Sequence, residues 1–365
     1  MVHDIPELII GDLEIKIPII QGGMGVGVSL SGLASAVANE GGVGVIAGAG
    51  IGMLEPDFNT DFPAANRKAL AKEIRNAKRL TDGVIGVNLM LASSDFDQLL
   101  LVALDEDADI VLLGAGLFLK LPDSISRERF VNSPTRFIPI VSSPRAARIV
   151  FEYWAHHYTR IPDAIVVEGP LAGGHLGFKK QQINDPAYAL EKLIAEIVPL
   201  IATFEKQYHK KIPVIAAGGI FTGADIYRFM QAGVQGVQMG TRFVATQECD
   251  ASTKFKESYM KCRQEDIIII DSPVGLPGRA IRNRFLDDVT SGIKKPVNCP
   301  WRCLRTCDYR VVPYCIASAL TNAKRGNFED GFGFCGANAY RIEEITTVKE
   351  LIKNLLIEYH QAASS

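Results

Sequence analysis

Residues 212–251 read IPVIAAGGIFTGADIYRFMQAGVQGVQMGTRFVATQECDA, and the alternation within them decides the fold. Two short apolar runs, Val214–Ala217 and Gly236–Met239, meet glycine at once: Gly218-Gly219 after the first, Gly240 after the second. Between them residues 224–232 have helical length and an amphipathic pattern. The order is strand, glycine turn, helix, strand, glycine turn. Glycine where a strand ends lets backbone N–H groups approach an anion, and the helix start beyond adds its positive dipole end. In a (β/α)8 barrel the loops after the seventh and eighth strands are the usual phosphate site. A phosphorylated cofactor is therefore the first expectation.

The same alternation runs from Ile17 to about Ala245. It predicts strands over 17–21, 42–46, 84–89, 110–113, 137–142, 164–168, 214–217 and 236–239, and helices over 31–39, 66–80, 95–106, 144–156, 186–208 and 223–232. Near-continuous apolar strands belong to a parallel sheet covered on both faces. Eight of them close a barrel, so the expected class is α/β, a (β/α)8 TIM barrel, with an open doubly wound sheet as the rival. After about Glu248 the pattern fails. Helices are expected over 251–263, 314–324 and 347–358, around an apolar run at 267–270. The expected division is a barrel over 1–248 and a mixed, largely helical extension over 249–365 that packs on the barrel's catalytic face.

A length of 365 residues suits one such barrel, and 47% hydrophobic residues can bury a large core. A formal net charge of -2 gives no electrostatic case for nucleic acid or an anionic membrane. The longest apolar runs, 43–49 and 267–270, are far too short to span a bilayer. The beginning, MVHDIPELIIGDLEIKIPII, carries acids where a secretion signal needs a basic flank, so a cytoplasmic protein is expected. Its partner would be a small-molecule substrate, and a homodimer is compatible with everything above.

Candidate site residues stand at the strand ends. The first strand runs into Gln21-Gly22-Gly23-Met24-Gly25-Val26-Gly27, bare backbone against which a planar ring could lie. The third ends in Asn88, whose amide can both donate and accept. The sixth leads through Glu168 into Gly173-Gly174-His175. An imidazole between glycines after a buried strand can take or give a proton near neutrality. His156 and His157, on a helix, are expected to face solvent. Gly42-x-Gly44-x-x-Ala47 imitates a dinucleotide fingerprint, but it falls inside the second strand and lacks the acidic ribose partner.

Together, Gln21-Gly22-Gly23-Met24-Gly25, Asn88-Leu89-Met90, Ala172-Gly173-Gly174-His175-x-Gly177, Ala217-Gly218-Gly219-Ile220 and Met239-Gly240-Thr241-Arg242-Phe243 resemble one family in order and spacing. It is the FMN-dependent nitronate monooxygenases, formerly called 2-nitropropane dioxygenases. The FMN-dependent enoyl-acyl-carrier-protein reductases share the core. The resemblance covers roughly residues 17–252. It implies a TIM barrel that binds FMN non-covalently at the strands' C-terminal ends. By position Gly218, Gly219, Gly240 and Thr241 should hold the phosphate. Gly22, Gly23, Met24 and Asn88 should lie against the ring and ribityl chain, with Gly173 and Gly174 nearby. Gln21, Glu168, Ala217 and Met239 belong to the same implied contact set, and His175 matches the family's active-site histidine. The implied reaction oxidises an alkyl nitronate with O2 to a carbonyl compound and nitrite. His175 would deprotonate a neutral nitroalkane or orient the anionic nitronate, while FMN carries the redox chemistry. The alternative keeps the fold and changes the donor: NAD(P)H reduces FMN, which reduces an enoyl thioester or a quinone. A flavin-binding protein without catalysis, or a phosphosugar barrel without flavin, stands further off.

Seven cysteines are too few for a disulfide scaffold at this length, yet four fall in Cys299-x3-Cys303-x3-Cys307-x7-Cys315. The spacing fits neither zinc nor a standard ferredoxin cluster, and Pro300 argues against a clean helix. Free or buried thiols with no metal is the expectation, a metal or iron–sulfur site the alternative. The late Gly331-Phe332-Gly333-Phe334-Cys335-Gly336-Ala337-Asn338 resembles a glycine-rich segment that returns to the flavin in relatives, which would bring Cys335 near the site.

Overall fold

The structure, a computed structural model, describes residues 5–293, 299 and 301–365; Pro300 and the first four residues of the acidic beginning lie outside them. Eight strands form one sheet: β1 (Ile19–Gln21), β2 (Gly44–Ala47), β3 (Ile85–Met90), β4 (Ile110–Gly114), β5 (Arg136–Val141), β6 (Ile165–Glu168), β7 (Val214–Ala217) and β8 (Gly236–Met239). Neighbours are parallel in the order 1-8-7-6-5-4-3-2. A parallel bridge between Ile20 and Val43 joins the two ends. Gln21 N donates to Val43 O and Val43 N donates to Ile19 O, each at 2.9 Å. This is the expected (β/α)8 barrel, and each strand lies within two residues of its expected limits.

Alternate residues point inward. Ile20, Val45, Ile110, Leu112, Ile138, Val166 and Ile215 share one interior cluster, while their neighbours Val87, Val111, Phe137, Val167 and Val237 pack outward beneath the helices. An antiparallel hairpin, Leu8–Ile10 with Leu13–Ile15, was not expected. Its Leu8, Ile10 and Ile15 are fully buried and join the interior cluster. Leu8 reaches Gly236, the first residue of β8, so the hairpin closes the barrel at the strands' N-terminal ends. Burying each of those side chains stabilises by about 1.5–3 kcal/mol.

The helix ring begins with Ser31–Asn39, which matches its expected limits. It presses so close to β2 that a Cβ on Gly44 would stand 1.8 Å from Ala34 O. Gly44 is thus a packing glycine, and the dinucleotide-like pattern has no other content. Residues 186–208, expected as one helix, divide into a 3-10 turn, Pro186–Tyr188, and a helix, Leu190–Tyr208, because Ala189 between them is extended. His156 and His157 are exposed on Pro144–Tyr158. Among the described residues no helix is long and apolar enough to cross a membrane.

Beyond β8 the chain forms a helix, Thr253–Met260, and a three-stranded antiparallel sheet of Ile267–Asp271, Pro277–Ile281 and Gly174–His175. The last helix, Val348–Ala363, packs on Gly223–Gln231 and also touches Ser31–Asn39, the place of an eighth helix in the ring. Its buried face, Val348, Leu351, Ile352, Leu355 and Tyr359, follows the helical period, and Thr347 with Glu350 forms a capping box at its start. Gly223 N donates to Glu358 Oε2 at 2.6 Å, and a Cβ on Gly223 would meet Leu355 O at 2.0 Å. Gly223→Ala should therefore push the last helix off its seat and cost about 1–3 kcal/mol. Urea unfolding monitored by far-UV circular dichroism would report this as a lower midpoint; an unchanged midpoint would mean the contact is not tight.

Candidate active site

The alternation that sends apolar side chains into the barrel puts Asn88 of β3, Glu168 of β6 and Gln238 of β8 at the C-terminal end of the interior. With Gly114 and Ile140 they line a cavity of about 750 Å3. Its rim is made by the loops after the strands: Gly22, Gly23 and Met24 after β1; Gly173, Gly174 and His175 after β6. Ala217, Gly218 and Gly219 follow from β7, and Met239, Gly240 and Thr241 from β8. The sequence-derived candidates thus stand around one space, with one exception. Gln21 does not line it. Its Oε1 accepts from Val45 N at 2.9 Å and its Nε2 donates to Ser29 Oγ at 3.0 Å, so the amide is used inside the β1–β2 seam.

Backbone shape explains the glycines. Gly218 and Gly219 have φ of 94° and 84°, the left-handed region that side chains avoid. A Cβ on Gly23 would sit 2.4 Å from Asn88 Cβ, and one on Gly173 would sit 2.7 Å from the Cys335 carbonyl carbon. Thr241 Oγ1 accepts from Gly336 N at 2.9 Å, which leaves its own hydroxyl proton to donate.

Polar groups in this space are short of partners. Asn88 Oδ1 and Gln238 Oε1 are buried and find no hydrogen-bond partner. Such a group costs about 1–3 kcal/mol until a ligand satisfies it. Burial pushes the Glu168 carboxyl up to about 7, so near neutrality it can donate as well as accept. His175 Nε2 is 2.6 Å from Ser272 Oγ, and its ring meets Phe334 edge-on at 4.9 Å. Burial lowers its pKa to about 4. The imidazole is therefore neutral at physiological pH.

Residues after 248 supply the opposite wall. Asn338 Nδ2 donates to Gly219 O at 2.6 Å, and Ala337 N donates to Leu171 O at 3.1 Å. Cys335 is buried and faces the cavity. Phe255, Tyr259, Val274, Leu276, Leu304, Ile316 and Leu320 make much of this wall apolar. Of the four clustered cysteines Cys303 touches the main cavity; Cys299, Cys307 and Cys315 do not. Sequence reasoning missed Gln238, Ser272 and Arg279. Arg279 is buried and donates through Nη1 to Pro170 O at 2.7 Å and to Ala172 O, holding the backbone ahead of His175. Gln238 carried a signal, since it stands two residues after an inward-facing glycine on β8. Ser272 and Arg279 carried none, because a glycine- and proline-rich stretch conceals the hairpin that delivers them.

A family model described as nitronate monooxygenase matches residues 7–99 and 90–358. A probable nitronate monooxygenase of Staphylococcus aureus (strain Newman) is 31% identical over 304 residues, 76% of this chain and 79% of the relative. That of strain JH9 is 29% identical over the same shares. Among solved structures, FabK from Thermotoga maritima superposes with a TM-score of 0.73 at 28% identity, covering 96% of this chain and 94% of its own. Nitroalkane oxidase from Streptomyces ansochromogenes gives 0.70 at 23% identity, covering 96% and 97%, a likeness of fold.

The two shifted groups act oppositely on stability. An unfolded chain protonates His175 below about 6.5, the native state only below about 4, so native stability is lost as pH falls through that window. For Glu168 the native carboxyl keeps its proton up to about 7 and the unfolded one only to about 4.5, so stability is lost as pH rises between them. Relative to the parent chain, His175→Ala should gain stability from pH 6.5 down to 4, and Glu168→Gln from pH 4.5 up to 7. Urea midpoints across pH check both; parallel pH profiles for parent and variants would refute the shifts.

Proposed function

The chain belongs to the nitronate monooxygenase family, and from that premise we propose that it binds FMN in the barrel-end cavity and oxidises alkyl nitronates with O2 to a carbonyl compound and nitrite. The observation that carries this is the pair of buried, unpartnered acceptors, Asn88 Oδ1 and Gln238 Oε1, beneath a rim of glycines. A flavin ring edge offers both N–H and C=O groups, and the left-handed Gly218-Gly219 turn with Gly240 and Thr241 suits a phosphate. Gly22, Gly23 and Met24 would lie along the ring. When bound, FMN supplies the electron-transfer chemistry, with O2 as final oxidant. The functional division that follows is a barrel within residues 1–248, completed by the last helix, with described residues after 248 such as Phe255, Tyr259, Leu304 and Asn338 walling the site from water.

His175 acts on the substrate in this reading. A base with a pKa near 4 is poorly matched to the proton of a neutral nitroalkane. A neutral imidazole held by Ser272 and Phe334 is better suited to orient a nitronate that is already ionised. The Phe334 contact and the Arg279 bonds to Pro170 and Ala172 limit how the ring can move.

A second reading, an NAD(P)H-dependent flavin reductase acting on an enoyl thioester, is favoured by the apolar wall from Phe255 to Leu320, which exceeds what a small nitronate needs. Anaerobic visible spectra separate the two. Reduction of the flavin by a nitronate and not by NADH is expected; bleaching by NADH alone would replace the first reading with the second. His175→Ala should keep its flavin and lose about 10- to 150-fold in kcat/KM, the worth of a hydrogen bond to a charged group. Ser272→Ala should lose about tenfold, the worth of one hydrogen bond. Unchanged turnover in His175→Ala would remove that residue from the mechanism.

A further inference from the structure

The four clustered cysteines stand apart from the chemistry described so far, and the fold gathers them. Cys299, Cys303, Cys307 and Cys315 ring one small side cavity together with Arg302 and apolar side chains such as Val312. The other three thiols all lie within electrostatic range of Cys303. All four are free. Among the described residues no three His, Cys, Asp or Glu side chains converge tightly enough to hold a single metal ion. Four thiols around one space are the ligand number of a cysteine-held iron–sulfur cluster.

The barrel holds this segment in place. Cys303 O accepts from Ser94 N at 3.0 Å, and Arg305 N donates to Ala92 O at 2.9 Å, with an antiparallel bridge between Ser93 and Leu304. Trp301 stacks on Phe62 at 6.0 Å and donates through Nε1 to Asn59 Oδ1 at 3.1 Å. Arg302 also lines the cavity. Cys315 stands at the N-cap position of the helix Ile316–Lys324, whose positive dipole end favours an anionic ligand nearby.

We propose that Cys299, Cys303, Cys307 and Cys315 ligate an iron–sulfur cluster of the four-iron type. Assembly takes up two ferrous ions, two ferric ions and four sulfide ions, which sum to a core of charge 2+, and each of the four thiols gives its proton to solvent as its Fe–S bond forms. Cys303, Leu304 and Ile316 line both this cavity and the larger one, so the cluster sits against the wall of the candidate active site. The assignment does not depend on what the larger cavity binds.

The test is iron and acid-labile sulfide analysis of the full chain purified without oxygen and reconstituted with equal amounts of ferrous and ferric iron and with sulfide, with electron paramagnetic resonance after dithionite reduction. About four iron and four sulfide per chain are expected, with a paramagnetic signal that appears on reduction. Cys299→Ala/Cys307→Ala should lose at least tenfold in iron, while Cys262→Ala, outside the ring, keeps it. Zinc in place of iron, or no iron with all four thiols open to alkylation in the native chain, would overturn the proposal. The parent-chain analysis stands alone should the double variant fail to fold. Iron without flavin would sustain the cluster and sink the FMN reading; flavin without iron would do the reverse.

Discussion

Everything in this molecule hangs on the seam between β1 and β2. Strand pairing runs without a break from β2 around to β1, and only the seam turns that sheet into a ring. It is short: two backbone hydrogen bonds between β1 and Val43, and the Gln21 amide reaching Val45 N. Gln21 is wholly buried there, where an unsatisfied amide would be costly. Once the seam is shut, eight strand ends face one another across a space a few residues wide. Glycine loops that are far apart in the chain become one rim.

That geometry sorts residues by parity. On each strand one set of side chains meets the ring's interior and the other meets the helices. The interior is apolar through most of its depth and turns polar at the C-terminal end, where Asn88, Glu168 and Gln238 stand. Helix-side residues determine stability, whereas the last inward residue of a strand is released for chemistry. Glu168 and His175 illustrate how far the surroundings reach, since the same low-polarity space raises one pKa and lowers the other.

The barrel was legible in the sequence because a parallel strand buried on both faces must be apolar throughout and must be followed by a helix. Strand and glycine came paired, so most of the rim was legible too. Gln21 was misjudged because sequence cannot say which face of a closing strand a side chain takes; its neighbours belong to the rim, its amide to the seam. The N-terminal hairpin escaped because three-residue strands carry too little periodicity to register. Ser272, Phe334 and Arg279 reach the site through antiparallel pairing of Pro277–Ile281 with Gly174–His175, a long-range contact that no local pattern reports.

The last helix has a consequence for how the protein is made. It occupies the ring between helices near the two ends of the barrel sequence, and its residues are synthesised after both of them. Until they emerge from the ribosome, the faces of Ser31–Asn39 and Gly223–Gln231 that they cover stay open to water. Contacts between such distant parts of a chain form slowly, and the intermediates that precede them expose apolar surface. The nascent barrel thus keeps apolar surface open until this helix docks, and a chain stopped before Val348 would leave that part of the ring uncovered.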